Sequence, residues 1–247
     1  MIDFSDRVLL LTGAGGGIGR AIAQVFHDAG ASILLADIRE DAVRTAARSL
    51  DSTGARTAPM KYDAGRADDA EAAVRVCLER FGRLDYLVPA AAIYEDQSFL
   101  EMTDEHWRKT LAVNLDGVFY ICRRAIPVMP EGGAVVTIAS EAAHAGSSIG
   151  HCHYGASKGG VLTLTRSLAR ELAPRLRVNT VSPGAIDTPM ITDLMGSRGS
   201  TILEGIPQAR LGTPHEVAAA VAFLCSDSAA YITGQAIHVN GGSYIGG

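Results

Sequence analysis

Tyr154 and Lys158 stand four residues apart in the run Tyr154-Gly155-Ala156-Ser157-Lys158. On a helix that spacing puts a phenol and an ammonium on one face. An unperturbed tyrosine, with a pKa of about 10, is a poor base near neutrality, but a lysine cation beside it favours the phenolate. Proton exchange with a hydroxyl or carbonyl then becomes feasible. Ser140 follows the apolar run Ala134-Val135-Val136-Thr137-Ile138-Ala139. It therefore falls at the carboxyl end of a strand, where open α/β sheets bind ligands, and its hydroxyl is suited to hold an oxygen beside Tyr154. Asn114 sits in Val113-Asn114-Leu115-Asp116-Gly117, inside a helical pattern where asparagine has poor propensity. A polar task would explain it. Taken singly, each has a plain structural reading: a half-buried aromatic, a solvated tip, a cap, and an amide satisfying a kink.

A second group of residues suits phosphate. After the first apolar run comes Thr12-Gly13-Ala14-Gly15-Gly16-Gly17-Ile18-Gly19, followed by Arg20-Ala21-Ile22-Ala23-Gln24-Val25-Phe26. Glycines let a backbone turn sharply and approach a pyrophosphate, while the following helix offers unpaired N–H groups and a partial positive charge. A tight turn alone would also account for Gly15 and Gly16; the strand before and the helix after favour the dinucleotide. The second strand, Ser32-Ile33-Leu34-Leu35-Ala36, ends at Asp37, the distance at which a carboxylate binds adenosine ribose hydroxyls. A 2′-phosphate there would meet like charge, and Gly16 supplies no basic side chain to neutralise it, although Arg39 is near enough to soften the preference. NAD is the expected dinucleotide, and the positive end of its nicotinamide would add to Lys158 in favouring the phenolate.

These residues need a scaffold, and the hydrophobic pattern supplies one. Strands are expected at Arg7 to Leu11, Ser32 to Ala36, Thr57 to Lys61, Tyr86 to Val88, Ala134 to Ala139, Arg177 to Val181 and Ala236 to Val239. Helices are expected at Gly17 to Asp28, Glu40 to Ser49, Ala67 to Phe81, Glu105 to Val128, Tyr154 to Leu172 and His215 to Cys225, the fourth breaking near Asn114. Such alternation implies an α/β, Rossmann-type doubly wound sheet of about seven parallel strands with helices on both faces, in a single domain spanning 1–247. Thr188 to Gly212 departs from this rhythm. Met190, Ile191, Leu194, Met195, Ile202, Leu203 and Ile206 suit it to a greasy substrate lid, with a surface loop as the plainer reading.

Composition narrows the partners. A net charge of -5 gives no basic field for phosphate backbones or anionic lipids, so neither nucleic acid nor membrane is expected. The N-terminus lacks the basic start and apolar run of a secretory signal, and the cytoplasm is the expected compartment. Cys77, Cys122, Cys152 and Cys225 have no paired spacing and read as reduced core thiols. His151-Cys152-His153 is the one metal-like cluster and is read as no metal site.

Together the motifs resemble the short-chain dehydrogenase/reductase family, from about Val8 to Gly242. The family's T-G-x-x-x-G-x-G loop is matched at Thr12, Gly13, Gly17 and Gly19, its Y-x-x-x-K pair at Tyr154 and Lys158, and its catalytic serine and asparagine at Ser140 and Asn114. The resemblance implies cofactor contacts at Gly13, Gly17, Ile18, Gly19, Asp37, Asp63, Ala90, Lys158, Pro183, Gly184, Ile186 and Thr188. Asp63 would read the adenine amino group, Ile186 and Thr188 the carboxamide, and Lys158 the nicotinamide ribose. Asn114 would hold a water linking Lys158 to solvent. It also implies a homo-oligomer, a homotetramer before a dimer, for which Phe119, Tyr120, Ile121, Val161, Leu162 and Leu164 are candidate contacts, with ordinary core packing as their plainer reading. One departure stands out: Pro89-Ala90-Ala91-Ala92 replaces the family's N-N-A-G. The expected reaction interconverts a small-molecule secondary alcohol and a ketone with NAD. Reduction of a 3-oxoacyl thioester on acyl carrier protein is the enzymatic alternative, and a non-catalytic nucleotide-sensing protein the other; an intact Tyr154, Lys158, Ser140 and Asn114 set weighs against the latter.

Overall fold

The computed structural model of the chain describes residues 2–189, 191 and 201–246. Its elements alternate in chain order: β1 (Val8–Thr12), α1 (Gly17–Asp28), β2 (Ser32–Asp37), α2 (Glu40–Leu50), β3 (Thr57–Lys61), α3 (Ala67–Phe81) and β4 (Tyr86–Pro89). Then come α4 (Asp104–Leu111), a π-helical turn (Ala112–Asp116), α5 (Gly117–Ala125), β5 (Ala134–Ile138) and the short α6 (Ala142–Ala145). The last are α7 (Cys152–Leu172), β6 (Arg177–Pro183), α8 (Pro214–Cys225) and β7 (Ala236–Val239). All ladders are parallel, and the seven-stranded order is β3-β2-β1-β4-β5-β6-β7. Chain order therefore reverses between β1 and β4, where loops leave to opposite sides and open a crevice at the carboxyl ends.

Burial on both faces explains why the strands read as continuous apolar runs. Every residue of β1 and β5 is buried. One face packs against α1, α2 and α8 through Leu9, Leu11, Ile22, Phe26, Ile33 and Val221. Phe26 stacks on Phe4 at 4.6 Å, and both meet the Tyr86 ring, closing that layer near the amino ends of the strands. The other face packs against α3, α5 and α7 through Leu10, Leu34, Val74, Leu87, Ile121 and Val161.

Boundaries follow local chemistry. Pro214 opens α8 at a position where the missing N–H costs nothing, and Thr213 and Glu216 form a reciprocal capping box. The helix expected across Glu105 to Val128 divides into α4, the π turn and α5, with Asn114 inside the π turn. The short α6 has no counterpart in the hydrophobic pattern, since a single turn buries no stripe.

Two expectations change. Cys77, Cys122 and Cys225 are buried, but Cys152 is exposed because it lies on the outer side of the first turn of α7. Ile121, Val161 and Leu162 belong to the core under the sheet, which leaves Phe119, 46% exposed, as the surface member of the candidate interface set. In the segment from Thr188 to Gly212, Met190, Leu194 and Met195 lie outside the described residues. Its neck is pinned: Asp187 N–H donates to the Gly212 carbonyl at 2.8 Å and Gly212 N–H to the Ala185 carbonyl at 3.0 Å. Ile206 is buried.

Asp85 fastens the amino ends of the central strands. It is 1% exposed; its Oδ2 accepts from Val8 N–H at 2.9 Å, and Arg7 and Arg83 donate to the same carboxylate. Asp85→Ala should cost about 2–4 kcal/mol in denaturant unfolding, because it leaves a buried N–H unpartnered and two guanidinium groups unpaired. Arg83→Ala, at a partly exposed position, should cost under about 1 kcal/mol.

Candidate functional site

The glycine loop is shaped by close approach. Gly13 has φ +70, and a Cβ there would stand 2.7 Å from the Ala90 carbonyl oxygen. A Cβ on Gly19 would run into the Gly13 carbonyl oxygen, so α1 cannot start this near the loop with any larger residue. Above Gly17 lies Thr188, whose Cγ2 would be 2.9 Å from an added Cβ. Gly16 begins α1 without a side-chain cap, and no acidic residue occupies the first turn. The leading N–H groups of α1 are thus left for an anion. Ile18 packs its side chain onto the core behind them.

Asp37 ends β2 nearly buried, at 6% exposure. Its Oδ2 accepts from Gly15 N–H at 2.8 Å, and its Oδ1 from Arg39 N–H at 2.9 Å. The Arg39 guanidinium also turns back to Oδ1, at 3.4 Å, passing beside Gly16. The carboxylate thus organises the loop and restrains the nearest cation. Asp63 follows β3; its Oδ1 accepts from Gly65 N–H and its own N–H donates to Asp69. These carboxylates, Ala90 after β4, Ser140 after β5, Pro183 at the end of β6, and Gly184, Ile186 and Thr188 beyond it all gather at one edge of the sheet.

Departure from N-N-A-G leaves no left-handed strain. Among the described residues only Asp6 and Ala209 combine a side chain with positive φ, so Ala92 needs no glycine freedom. The segment is held from outside instead. Ala91 N–H donates to Thr12 Oγ1 at 3.2 Å. Asn114, fully buried, accepts from Ile93 N–H at 2.8 Å and donates to the Ile93 carbonyl at 3.0 Å. It also donates to Ser157 Oγ at 3.2 Å, and Ser157 in turn donates to the Tyr154 carbonyl at 2.7 Å. The π turn supplies the slack that aims this amide inward. Ser157 and Thr12 are structural partners that the sequence pattern contained without revealing their task.

Tyr154 and Lys158 lie in the first turns of α7, with the Lys158 Nζ 5.7 Å from the phenol ring centroid. Lys158 is buried and donates to the Ile138 carbonyl at 2.8 Å; burial lowers its pKa to about 8. Burial raises the Tyr154 phenol to about 12, opposed by a hydrogen bond with the Ser140 side chain and reinforced by Tyr94 and Glu141. Ser140 Oγ accepts from Ala142 N–H at 3.2 Å, tying it to α6. Tyr94 meets the Tyr154 ring edge-on at 4.8 Å and stacks on His151 at 3.9 Å. His151 also faces Asp96 at 3.1 Å and Ser148 at 3.0 Å. The arrangement can hold an oxygen between Ser140 and Tyr154 and exchange a proton with it.

Comparison with known proteins agrees with this architecture. The sequence model of a family described as enoyl-(acyl carrier protein) reductase matches residues 13–244. A 3-oxoacyl-[acyl-carrier-protein] reductase of Thermotoga maritima is 36% identical over 242 residues, covering 97% of this chain and 98% of its own. A Brucella melitensis structure titled short-chain dehydrogenase/reductase SDR:glucose/ribitol dehydrogenase is 49% identical, with TM-score 0.96 and 99% of each chain covered. A second Brucella melitensis structure, a 3-ketoacyl-(acyl-carrier-protein) reductase complexed with NADH, is 32% identical, with TM-score 0.90, covering 98% of this chain and 100% of that one.

Asn114→Ala removes the partners of both Ile93 backbone groups. It should destabilise the fold by about 1–3 kcal/mol and speed hydrogen exchange at the Ile93 amide. An unchanged Ile93 exchange rate would mean the amide does not clamp this segment.

Proposed function

This chain belongs to the short-chain dehydrogenase/reductase family, oxidoreductases that work with a nicotinamide dinucleotide, and we propose that it interconverts a secondary alcohol and a ketone with NAD(H). The observation that carries this reading is the half-buried Tyr154 and buried Lys158 pair beside Ser140, at the sheet edge that also carries the glycine loop.

The residues present fit a dinucleotide. Gly13, Gly17 and Gly19 make a cradle that any Cβ would fill, the α1 N-terminus is uncapped, and Asp37 offers a carboxylate 2.8 Å from the loop amide. In this reading Gly13, Gly17, Ile18 and Gly19 hold the pyrophosphate, Asp37 the adenosine ribose, Asp63 the adenine and Lys158 the other ribose. Ala90, Pro183, Gly184, Ile186 and Thr188 line the nicotinamide end. When bound, NAD supplies the hydride acceptor, and NADH the donor.

The chain handles the proton. For oxidation, Ser140 Oγ and the Tyr154 phenol hold the substrate hydroxyl, and Tyr154 Oη takes its proton. For reduction the same Oη returns a proton to the carbonyl oxygen. A phenol near 12 is too weak an acid to shed its proton at neutrality, so the Lys158 ammonium and the positive nicotinamide must lower it. Asn114 positions α7 through Ser157 and thereby sets where Tyr154 stands. In this reading residues 188–212 serve as the lid over an apolar part of the substrate, tied at the neck by the hydrogen bonds of Ala185, Asp187 and Gly212. The assembly proposed is a homo-oligomer, a tetramer before a dimer.

A 3-oxoacyl thioester is the second candidate substrate, favoured by the printed names of the Thermotoga maritima and NADH-bound relatives. The 49% identical relative is named as a glucose/ribitol dehydrogenase instead. Assaying a panel of secondary alcohols and polyols beside a 3-oxoacyl thioester, each with both dinucleotides, separates the two.

Tyr154→Phe should lower kcat by about 10²–10⁴-fold with dinucleotide binding retained. In the wild type, kcat/KM for oxidation should rise with pH, because the phenolate is the reactive form, and reduction should fall, because the phenol is. Near-full activity in the variant, or parallel pH slopes, would remove Tyr154 as the acid/base. Asp37→Ser frees Arg39 and removes the like charge, and should raise kcat/KM for NADP relative to NAD about tenfold or more. Wild-type turnover with NADP alone would overturn the NAD assignment.

A further inference from the structure

On the sheet face that carries α7, the later turns of that helix and strand β7 enclose a cleft of about 630 Å³. Arg166 and Arg170 line it from α7, His144 from α6, and Thr233, Gln235 and His238 from the β7 side. None of its described lining residues carries a carboxylate. That concentration of cations is local, since the whole chain has a net charge of -5.

The two arginines are one helical turn apart and exposed, and neither has a hydrogen-bond or ion-pair partner among the described residues. Their guanidinium groups can therefore converge on one ligand without breaking an existing pair. The two imidazoles meet at 4.5 Å, and Tyr244 packs against both. His238 Nδ1 is buried without a partner, an unmet polar group in a concave and positively charged place. His144 Nε2 is 3.1 Å from Ser182 Oγ, and the His144 pKa is lowered by burial and by the positive field of His238 and Arg166. Among the described residues no carboxylate lines the cleft to balance these cations.

We propose that this cleft is a binding site for a small oxyanion of the phosphate class, held by Arg166 and Arg170 with the His144 and His238 rings at its inner wall. It is separate from the glycine loop at the start of α1 and stands whether or not the redox assignment holds. His144 lies on α6, four residues after Ser140, so an anion here acts on the element that carries the substrate side of the catalytic edge. A bound anion favours protonated imidazoles and so opposes the field that now depresses His144.

The test uses the full chain and inorganic phosphate against chloride at equal ionic strength. It follows thermal unfolding and the histidine ring NMR signals of the wild type and of Arg166→Gln/Arg170→Gln. Both arginines are exposed, so the double variant should fold with unchanged unfolding in chloride. The expected result is phosphate-specific stabilisation of the wild type, shifts of the His144 and His238 signals, and roughly tenfold or weaker phosphate affinity in the double variant. Equal affinity in both proteins would place the phosphate elsewhere, as at the Gly13–Gly19 loop, and overturn the proposal. So would the absence of phosphate stabilisation with a changed sedimentation coefficient in the double variant, which would make the cleft a contact for carboxylates of a second copy.

Discussion

The backbone of residues 89–93 has to lie against glycine on one side and be satisfied by a buried amide on the other, and much of the site depends on that double constraint. A Cβ on Gly13 would stand 2.7 Å from the Ala90 carbonyl oxygen, a distance that no side chain would tolerate. Thr12 takes the Ala91 N–H, and Asn114 takes both backbone groups of Ile93. Through Ser157 the same amide reaches the helix that carries Tyr154 and Lys158. The glycine loop and the Tyr154 and Lys158 pair are thus coupled by short polar contacts in a buried place, where each bond is strengthened by low dielectric and costly to lose.

Burial also sets the electrostatics. Lys158 is held as a cation source at about 8, and Tyr154 as a phenol at about 12, in the same small volume. Neither value suits catalysis alone; a buried cation that favours phenolate, joined to a serine hydroxyl that already bonds it, brings the phenol toward use. At the other end of the crevice, Asp37 uses one oxygen to order Gly15 and the other to restrain Arg39. The proposed preference for a free ribose over a phosphorylated one would therefore rest on an acid and a base that are themselves paired. Arg39, read in the sequence as a neighbour that softens the preference, is instead tied to the carboxylate it would oppose.

Periodicity carried most of the fold. The strands at Thr57–Lys61 and Ala236–Val239 and the helices Gly17–Asp28 and Ala67–Phe81 stand where the pattern puts them: the helices bury a clear stripe against the sheet, and the strands, though only half-buried at its two edges, pair along their length with β2 and β6. The break at Asn114 was also legible, since an asparagine among helix formers has to be doing something other than propagating a helix. Less legible were α6, too short to show a stripe, and the exposure of Cys152, which depends on which side of α7 faces outward. Ile121, Val161 and Leu162 show the same limit: an apolar helical face has one appearance in sequence whether it meets its own sheet or another subunit.

From the sequence alone came the residue types, their spacing along helix and strand, and hence the chemistry they can perform together. Local geometry is enough for that, because i to i+4 spacing and a strand-loop-helix run define neighbours without reference to the rest of the chain. Tertiary structure alone decided that Asn114 would clamp Ile93, that Asp37 would hold both Gly15 and Arg39, and that Arg166 and Arg170 would share a cleft with His144 and His238. Asn114 and Ile93, Asp37 and Gly15, and the two arginines and His238 are far apart in the chain, and no local pattern records which distant backbone a buried amide will satisfy or which side chains a sheet edge will gather.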